Sequence, residues 1–575
     1  MVTTGGRRPR PIELLASATI LSLCVSAVVS ACGSTATGSP TPARPAAIVA
    51  APAPDVSPGP TPIPGPTPTT GSTSAGSPTP ASGPTPASGP TSVGSASTAA
   101  SSASTAATAR VVLETEVCPP YAREPVVATH PTDPRRLAVA CQRIAGSPFG
   151  PRPRFSDDGG VTWHEAPRAP WSDSGRWPDY HAAIAWGPGP TPGAARLYWF
   201  DAVANGGGVS PASSWTDDEG AHWSPLRVES RTPPWVGGFP DVAVDRDPAS
   251  PSYGVVYAAY NWLASAHAPG LRVLASGDFG RTWSALEVPR APAAAGYPDS
   301  WRIGYQLAPS RDGSVYVAAF QADMVDWSPA RLFSRAGAGR VGYTVTRLVF
   351  DRVAKTLRLA APTVMAAVLT SNAYSVDQAP AAGTTGNVLV DPGWQEGVAV
   401  DPGTGRVLLA VSDMRFSAPG VPRGIVLVYR SDDRGLSWHR TVLPPAGRSG
   451  GLVVSAFRPD LVILPGGRVW VGFHTITDVP LGSPPSLHLP SIGTAFAVSS
   501  DGGRTFATPM SVDTVRWNAM SLTRYVNGPG LRDRAAATAD GRVFYAWGDG
   551  RLAAPSPSPR WGDSAVYAAI ISIGD

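Results

Sequence analysis

The chain has 575 residues, too many for one ordinary domain, and its 64 Pro and 61 Gly make up about a fifth of it, well above average usage. Charged residues reach only 15%, and 46 basic against 42 acidic residues leave a net charge of +4, which supplies no electrostatic footprint for gripping a polyanion. Nucleic acid is therefore not an expected partner, and the near-absence of lysine, with Lys355 alone among the arginines, reads as compositional bias.

Residues 1–32 carry Arg7, Arg8 and Arg10, then an almost wholly apolar or small run from Leu14 to Ala31, and end on Val29-Ser30-Ala31-Cys32. The pattern resembles the bacterial lipoprotein signal. That resemblance implies that Cys32 is lipidated on its thiol, becomes the new N-terminus and anchors the exported protein to the outer face of the membrane. Residues 33–110 are Pro, Thr, Ser, Gly and Ala with repeated Pro-Thr-Pro units, and hold only Arg44, Asp55 and Arg110 as charges. Such a segment has no apolar content with which to bury a core, and is expected to be a disordered, semi-stiff stalk.

From 111 to 575 aromatic residues are evenly scattered and no long stretch has helical period. Short Val-rich or aromatic pieces bounded by Gly, Pro or Asp predict strands: 136–140, 195–200, 254–260, 314–320, 406–411, 468–473 and 542–547. The body is expected to be all-β.

Five segments repeat one pattern of Ser/Thr, any residue, Asp, any residue, Gly, two more residues and an aromatic: 156–163, 216–223, 276–283, 431–438 and 499–506. Average residue frequencies yield on the order of a hundredth of such a match in this length. The spacing is turn chemistry: the Asp carboxylate accepts N–H groups of its own turn, Gly two residues on takes positive φ, and the hydroxyl closes the other side. Asp158, Asp218, Asp278, Asp433 and Asp501 are thus read as structural, with Trp163, Trp223, Trp283, Trp438 and Phe506 wedged between neighbouring sheets.

These octapeptides resemble the Asp-boxes, or BNR repeats, of the sialidase-like β-propellers. In that family the box links the third and fourth strands of a blade, away from the active face. A second repeat, read beside this resemblance, opens each unit: Glu124-Pro125, Pro178-Asp179, Pro240-Asp241, Pro298-Asp299, Gln395-Glu396, Pro459-Asp460 and Arg532-Asp533. Seven openings favour seven blades over six, within a single propeller. A degenerate box is expected near 334–343, an insertion over about 344–393, and a last blade whose outermost strand is borrowed from 110–117. Cys118 and Cys141, on adjacent predicted strands of the first unit, are expected to form a disulfide in an exported protein. The eight histidines are dispersed without a zinc pattern, so no metal or cofactor is expected.

In a propeller the starts of the inner strands surround one axial mouth. Sialidases grip the substrate carboxylate with three arginines and use a tyrosine activated by glutamate, with an aspartate as acid/base. The resemblance implies Arg302, Arg458 and Arg534 as the arginines, Glu396 with Tyr305 or Tyr545 as the couple, and Asp179 as the acid. Where the family has Arg-Ile-Pro or Arg-Leu-Pro, however, this chain has Arg123-Glu124-Pro125, with a carboxylate beside the arginine site. A capping role for the opening acids is the rival reading. The expectation is a cell-surface lipoprotein, monomeric, whose propeller recognises a glycan or an extracellular protein. The alternatives are an exo-sialidase or other glycoside hydrolase at the same mouth, and an extracytoplasmic assembly factor.

Overall fold

The computed structural model describes residues 109–118, 122–143, 152–172, 174, 182–204, 209–228, 236–263, 269–291, 301–322, 340–370, 374–375, 389–390, 397–413, 424–444, 452–480, 488–518, 532–551 and 564–574. The expected signal, with Cys32, and nearly all of the expected stalk lie outside the described residues. Ala109 and Arg110 already belong to a strand, so the folded body begins slightly before the expected boundary.

The chain forms a seven-bladed β-propeller of antiparallel sheets. Numbered in chain order, the sheets begin with the inner strands Ala122–Thr129, Ala183–Pro188, Val236–Val244, Trp301–Pro309, Gly397–Val400, Leu452–Ile463 and Arg534–Ala537. Each inner strand packs on the inner strand of the next sheet, and the seventh packs on the first. The pieces predicted from composition are the second strands of all seven sheets: Leu137–Arg143, Ala195–Ala204, Val256–Leu263, Ser314–Ala322, Val407–Asp413, Val469–Pro480 and Val543–Asp549. Their continuous apolar character has a simple cause: both faces are covered by neighbouring sheets, and every residue of Val407–Asp413 and Val543–Asp549 is buried. Among the described residues there is no α-helix, only a 3-10 turn at Pro465–Gly467.

The core is correspondingly divided. Seven apolar clusters each fill one interface between adjacent sheets; Tyr316, Leu409 and Leu427 join sheets four and five, for example, and Trp470, Tyr545 and Trp547 join six and seven. An octapeptide aromatic packs against five of these clusters: Trp163, Trp223, Trp283, Trp438 and Phe506 each lie beside residues of the preceding sheet.

The ring closes with the N-terminal strand. Ala109–Cys118 pairs with Ala565–Ile573 as the outermost strand of sheet seven, which removes a free edge. Cys118 is joined to Cys141 by a disulfide. The two cysteines are not in one unit, as the sequence suggested: Cys118 belongs to sheet seven and Cys141 to the second strand of sheet one, so the bridge crosses the closure.

The fourth sheet corrects another expectation. Its third strand is Arg340–Asp351, paired with Ser314–Ala322 along its length, so 334–343 does not contain the connection between third and fourth strands. That connection is the short turn Arg352–Lys355, and Thr344 lies inside a strand rather than opening an insertion. Extra strands Val364–Thr370 and Trp517–Asn518 pair with the third strands of sheets four and six, and Tyr374–Ser375 pairs with Leu389–Val390.

Candidate functional site: the axial mouth and the opposite face

The octapeptides join third to fourth strands in sheets one, two, three, five and six. In the first, Ser156 donates to Asp158 Oδ1 at 2.8 Å and accepts the Gly160 N–H at 2.8 Å. Asp158 accepts the Thr162 N–H and hydroxyl at 2.9 and 2.6 Å, and Trp163 Nε1 donates to the Gly160 carbonyl at 3.0 Å. Gly160 has φ of 95°, a conformation that a β-carbon disfavours. Donors from Thr162 pull Asp158 down to about 2, and donors from Ser437 do the same to Asp433.

Arginines at the start of second strands extend this architecture between sheets. Arg136 binds Glu219 in the next sheet's octapeptide, Arg196 donates to the Phe279 carbonyl at 3.1 Å, and Arg468 donates to the Ile573 and Gly574 carbonyls at 3.1 Å. Asp157, His164 and Glu219 bring ligand-type atoms within 4.8 Å of one another, but Arg136 stands among them, 3.8 Å from Asp157 and bonded to Glu219. A guanidinium there does the work a cation would do.

At the axis the hairpin register shows which inner-strand residues are equivalent. Asp245, Ser310, Asp401, Leu464 and Thr538 close the inner hairpins with their N–H groups, and the residues four places earlier are Asp241, Gln306, Gly397, Asp460 and Arg534. Three of these link sheets. Asp241 Oδ2 accepts the Leu307 N–H at 2.8 Å, Gln306 Oε1 the Val398 N–H at 2.5 Å, and Asp460 Oδ2 the Ala535 N–H at 2.7 Å. Gly397 is required by close approach: a β-carbon would stand 2.6 Å from the Leu461 nitrogen. Two bonds cross the axis, from Gln306 Nε2 to Asp460 Oδ1 at 3.4 Å and from Arg532 Nη1 to the Pro240 carbonyl at 2.9 Å.

Burial shifts the axial carboxylates in the opposite sense to those at the corners. Desolvation pushes Asp460 up to about 6, with Arg534 opposing, and raises Asp241, with Arg534 and Arg532 opposing. Arg534 is thus the charge partner of two axial carboxylates, and its Nη1 has no hydrogen-bond partner among the described residues. Sheets one and six share a bulge at which Glu124 and Arg458 adopt φ of 51° and 53°. Left-handed non-Gly residues carry a cost of about 1–3 kcal/mol that persists only when the surroundings dictate it. Arg458 is 2% exposed and its N–H donates to Ser412 Oγ of sheet five at 3.0 Å. Glu124 is buried beside Arg123, at 3.7 Å, while Arg123 Nε donates to Gln142 at 2.6 Å.

Between sheets six and seven, His474 Nε2 lies 2.9 Å from Asp533 Oδ2, with both side chains essentially unexposed. Tyr545 is fully buried beside Trp470 and Trp547, its hydroxyl without a partner among the described residues. Burial, reinforced by Asp533, Asp460 and Asp513, raises its hydroxyl well above the ordinary range. Tyr545 is therefore unsuited to be the nucleophile named as one option from the sequence.

Among the other nominated residues, Arg458 and Arg534 sit on inner strands of adjacent sheets. Arg302 and Tyr305 are placed on the inner strand of sheet four, paired in register with Gln321 and Ala319, and their side chains are not described. Asp179 and Glu396 lie outside the described residues, as does Asp299. Glu124 and Asp533 are not register equivalents of Asp241 and Asp460; Val126 and Arg534 are. Gln306 went unnoticed, although Gln306-Leu307-Ala308 stands in the same register as Asp241-Val242-Ala243.

No protein-family model matches the chain, and no curated protein matches it. Among solved structures, it resembles a polysaccharide lyase of family PL25, an ulvan lyase, at 11% identity and a TM-score of 0.41, over 80% of this chain and 96% of that one. A GH93 α-L-arabinofuranosidase of Fusarium graminearum shows 11% identity and a TM-score of 0.39, over 80% and 97%. A Trypanosoma rangeli sialidase shows 13% and 0.32, over 56% and 45%. Likenesses this distant carry no argument about what the chain binds or turns over, so its chemistry rests on its own residues.

Proposed function

We propose that the chain is an exported, lipid-anchored propeller that recognises a glycan or a surface partner at its axial mouth, and that binding rather than turnover is its activity. The observation that carries this reading is the use of the axial acids: Asp241 and Asp460 accept N–H groups of the next sheet and face Arg534. Together with the walled-in Tyr545, this leaves no accessible tyrosine-and-carboxylate couple among the described axial side chains.

Incubation with a sialyl-linked fluorogenic glycoside tests the reading. No release above the uncatalysed background is expected, whereas glycan binding should fall in Arg458→Ala. Release that disappears in Arg302→Ala or Glu396→Ala would establish the hydrolase alternative. The anchor is tested separately by labelling cells with radioactive palmitate: incorporation should vanish, and the protein should reach the medium, in Cys32→Ala.

A further inference from the structure

The interface between sheets three and four lacks a part that five other interfaces have. Its apolar cluster includes Leu271, Val273, Leu348 and Phe350 but no octapeptide aromatic, because sheet four turns from third to fourth strand through Arg352–Lys355 alone. Phe350 packs instead over Gly277, where a β-carbon would meet its ring at 2.6 Å. Where the bulkier corner would have stood there is an open cavity of about 220 Å³, bounded by Asp278, Thr282 and Trp283 from sheet three and by Phe350, Arg352 and Lys355 from sheet four.

The lining has a definite chemical character. Asp278 is held by Ser276 and Thr282, with Thr282 donating through its hydroxyl at 2.6 Å and its N–H at 2.8 Å. Arg352 donates through Nε to the Pro251 carbonyl at 3.0 Å and through Nη2 to the Tyr253 carbonyl. Lys355, the only lysine of the chain, is exposed at φ of 52° and has no carboxylate partner among the described residues. Trp283 also differs from its counterparts: its buried Nε1 has no acceptor among the described residues, whereas the indoles of Trp163, Trp223 and Trp438 each donate to a carbonyl.

We infer that this cavity is a binding site for a single hexuronate ring, distinct from the axial mouth. Trp283 and Phe350 supply aromatic surface for the ring, Thr282 and Ser284 supply hydroxyl partners, and the Lys355 ammonium takes the carboxylate. The cavity is smaller than the 300–1,000 Å³ typical of drug-sized ligands, which suits one ring and not an oligosaccharide. A monosaccharide of this size should bind with a Kd of about 1–10 mM.

The single lysine supplies a selective probe. Reductive ¹³C-methylation of the full-length, detergent-solubilised protein keeps the charge and gives one dimethyl-lysine signal, which sodium glucuronate should shift saturably. Saturation-transfer NMR on unmethylated protein should show binding weakened about tenfold in Lys355→Ala, the loss expected for one charged contact, and largely retained in Lys355→Arg. Glucose should bind about as weakly as glucuronate does to Lys355→Ala. An unmoved lysine signal, or binding unchanged in Lys355→Ala, would overturn the inference. Binding that survives Lys355→Ala but fails in Arg458→Ala would place the uronate at the mouth and equally overturn it.

Discussion

The corner aspartates and the axial aspartates do the same job with opposite electrostatic results. Asp433 and Asp460 each accept two backbone N–H groups, from Leu436 and Ser437 and from Leu461 and Ala535, yet the first lies at about 2 and the second at about 6. The corner stands in water, so donors act on it almost unopposed; the axis is dry, and desolvation outweighs the same donors together with Arg534. Hydrogen bonding to a carboxylate therefore does not by itself reveal its charge state, and Asp460 is a structural group whose burial favours its neutral form.

Four experiments break or sharpen that contrast. Asp460→Ala orphans the Leu461 and Ala535 N–H groups in a buried place, and should lower the stability of the body by about 2–4 kcal/mol in urea denaturation. If it costs no more than a corner substitution, the axial bonds are not structural. Next, opening the bridge in Cys118→Ser with Cys141→Ser frees a loop with a sequence separation of 23, for an expected loss of about 3 kcal/mol under non-reducing conditions.

The third measurement is pH dependence, read as differences between thermal melts. Asp460 has a folded pKa near 6 against an ordinary value of about 3.9, so the folded state holds the proton more tightly and stability from this group is lost as pH rises from about 4 to 6. Asp460→Asn, which stays neutral, should therefore gain on the unaltered protein by about 2–3 kcal/mol across that window. Asp433 behaves in the opposite way: its folded pKa is depressed to about 2, so its contribution is present above about 4 and disappears as pH falls toward 2. Parallel curves for the protein and Asp460→Asn would show that the axial carboxylate is not desolvated. The smallest effect belongs to Asp433→Ala, about 1 kcal/mol at neutral pH, comparable to losing an exposed helix cap.

Strand placement was legible because burial on both faces writes a continuous apolar run, and the second strands are the most enclosed elements of each sheet. The corners were legible because a turn needs particular residues at fixed offsets: Ser156, Asp158 and Gly160 each meet a separate geometric demand. The axial register was not. Pro240-Asp241 and Pro459-Asp460 do share a position, but Glu124 and Asp533 fall short of it, where Val126 and Arg534 stand instead, so an acid in an opening motif does not mean a shared position. Sheet four went astray for a related reason, since its tight turn carries none of the corner residues. The arginines that tie sheets together were in view all along: Arg136, Arg406 and Arg468 stand immediately before second strands, but the acceptors they find are distant in sequence.

The borrowed strand has a consequence for how the protein comes into being. Ala109–Cys118 is among the first parts of the body to be synthesised, and its partner Ala565–Ile573 is among the last. Until translation is almost finished, that leading segment has no native neighbour and sheet seven has an uncovered margin, a period in which intermolecular pairing competes with ring closure. The leading strand must stay unpaired until its partner has been made. A chain shortened at its tail would leave Ala109–Cys118 and the margin of Val543–Asp549 without the strand that both pair with, which favours pairing with other copies over existing as an incomplete ring.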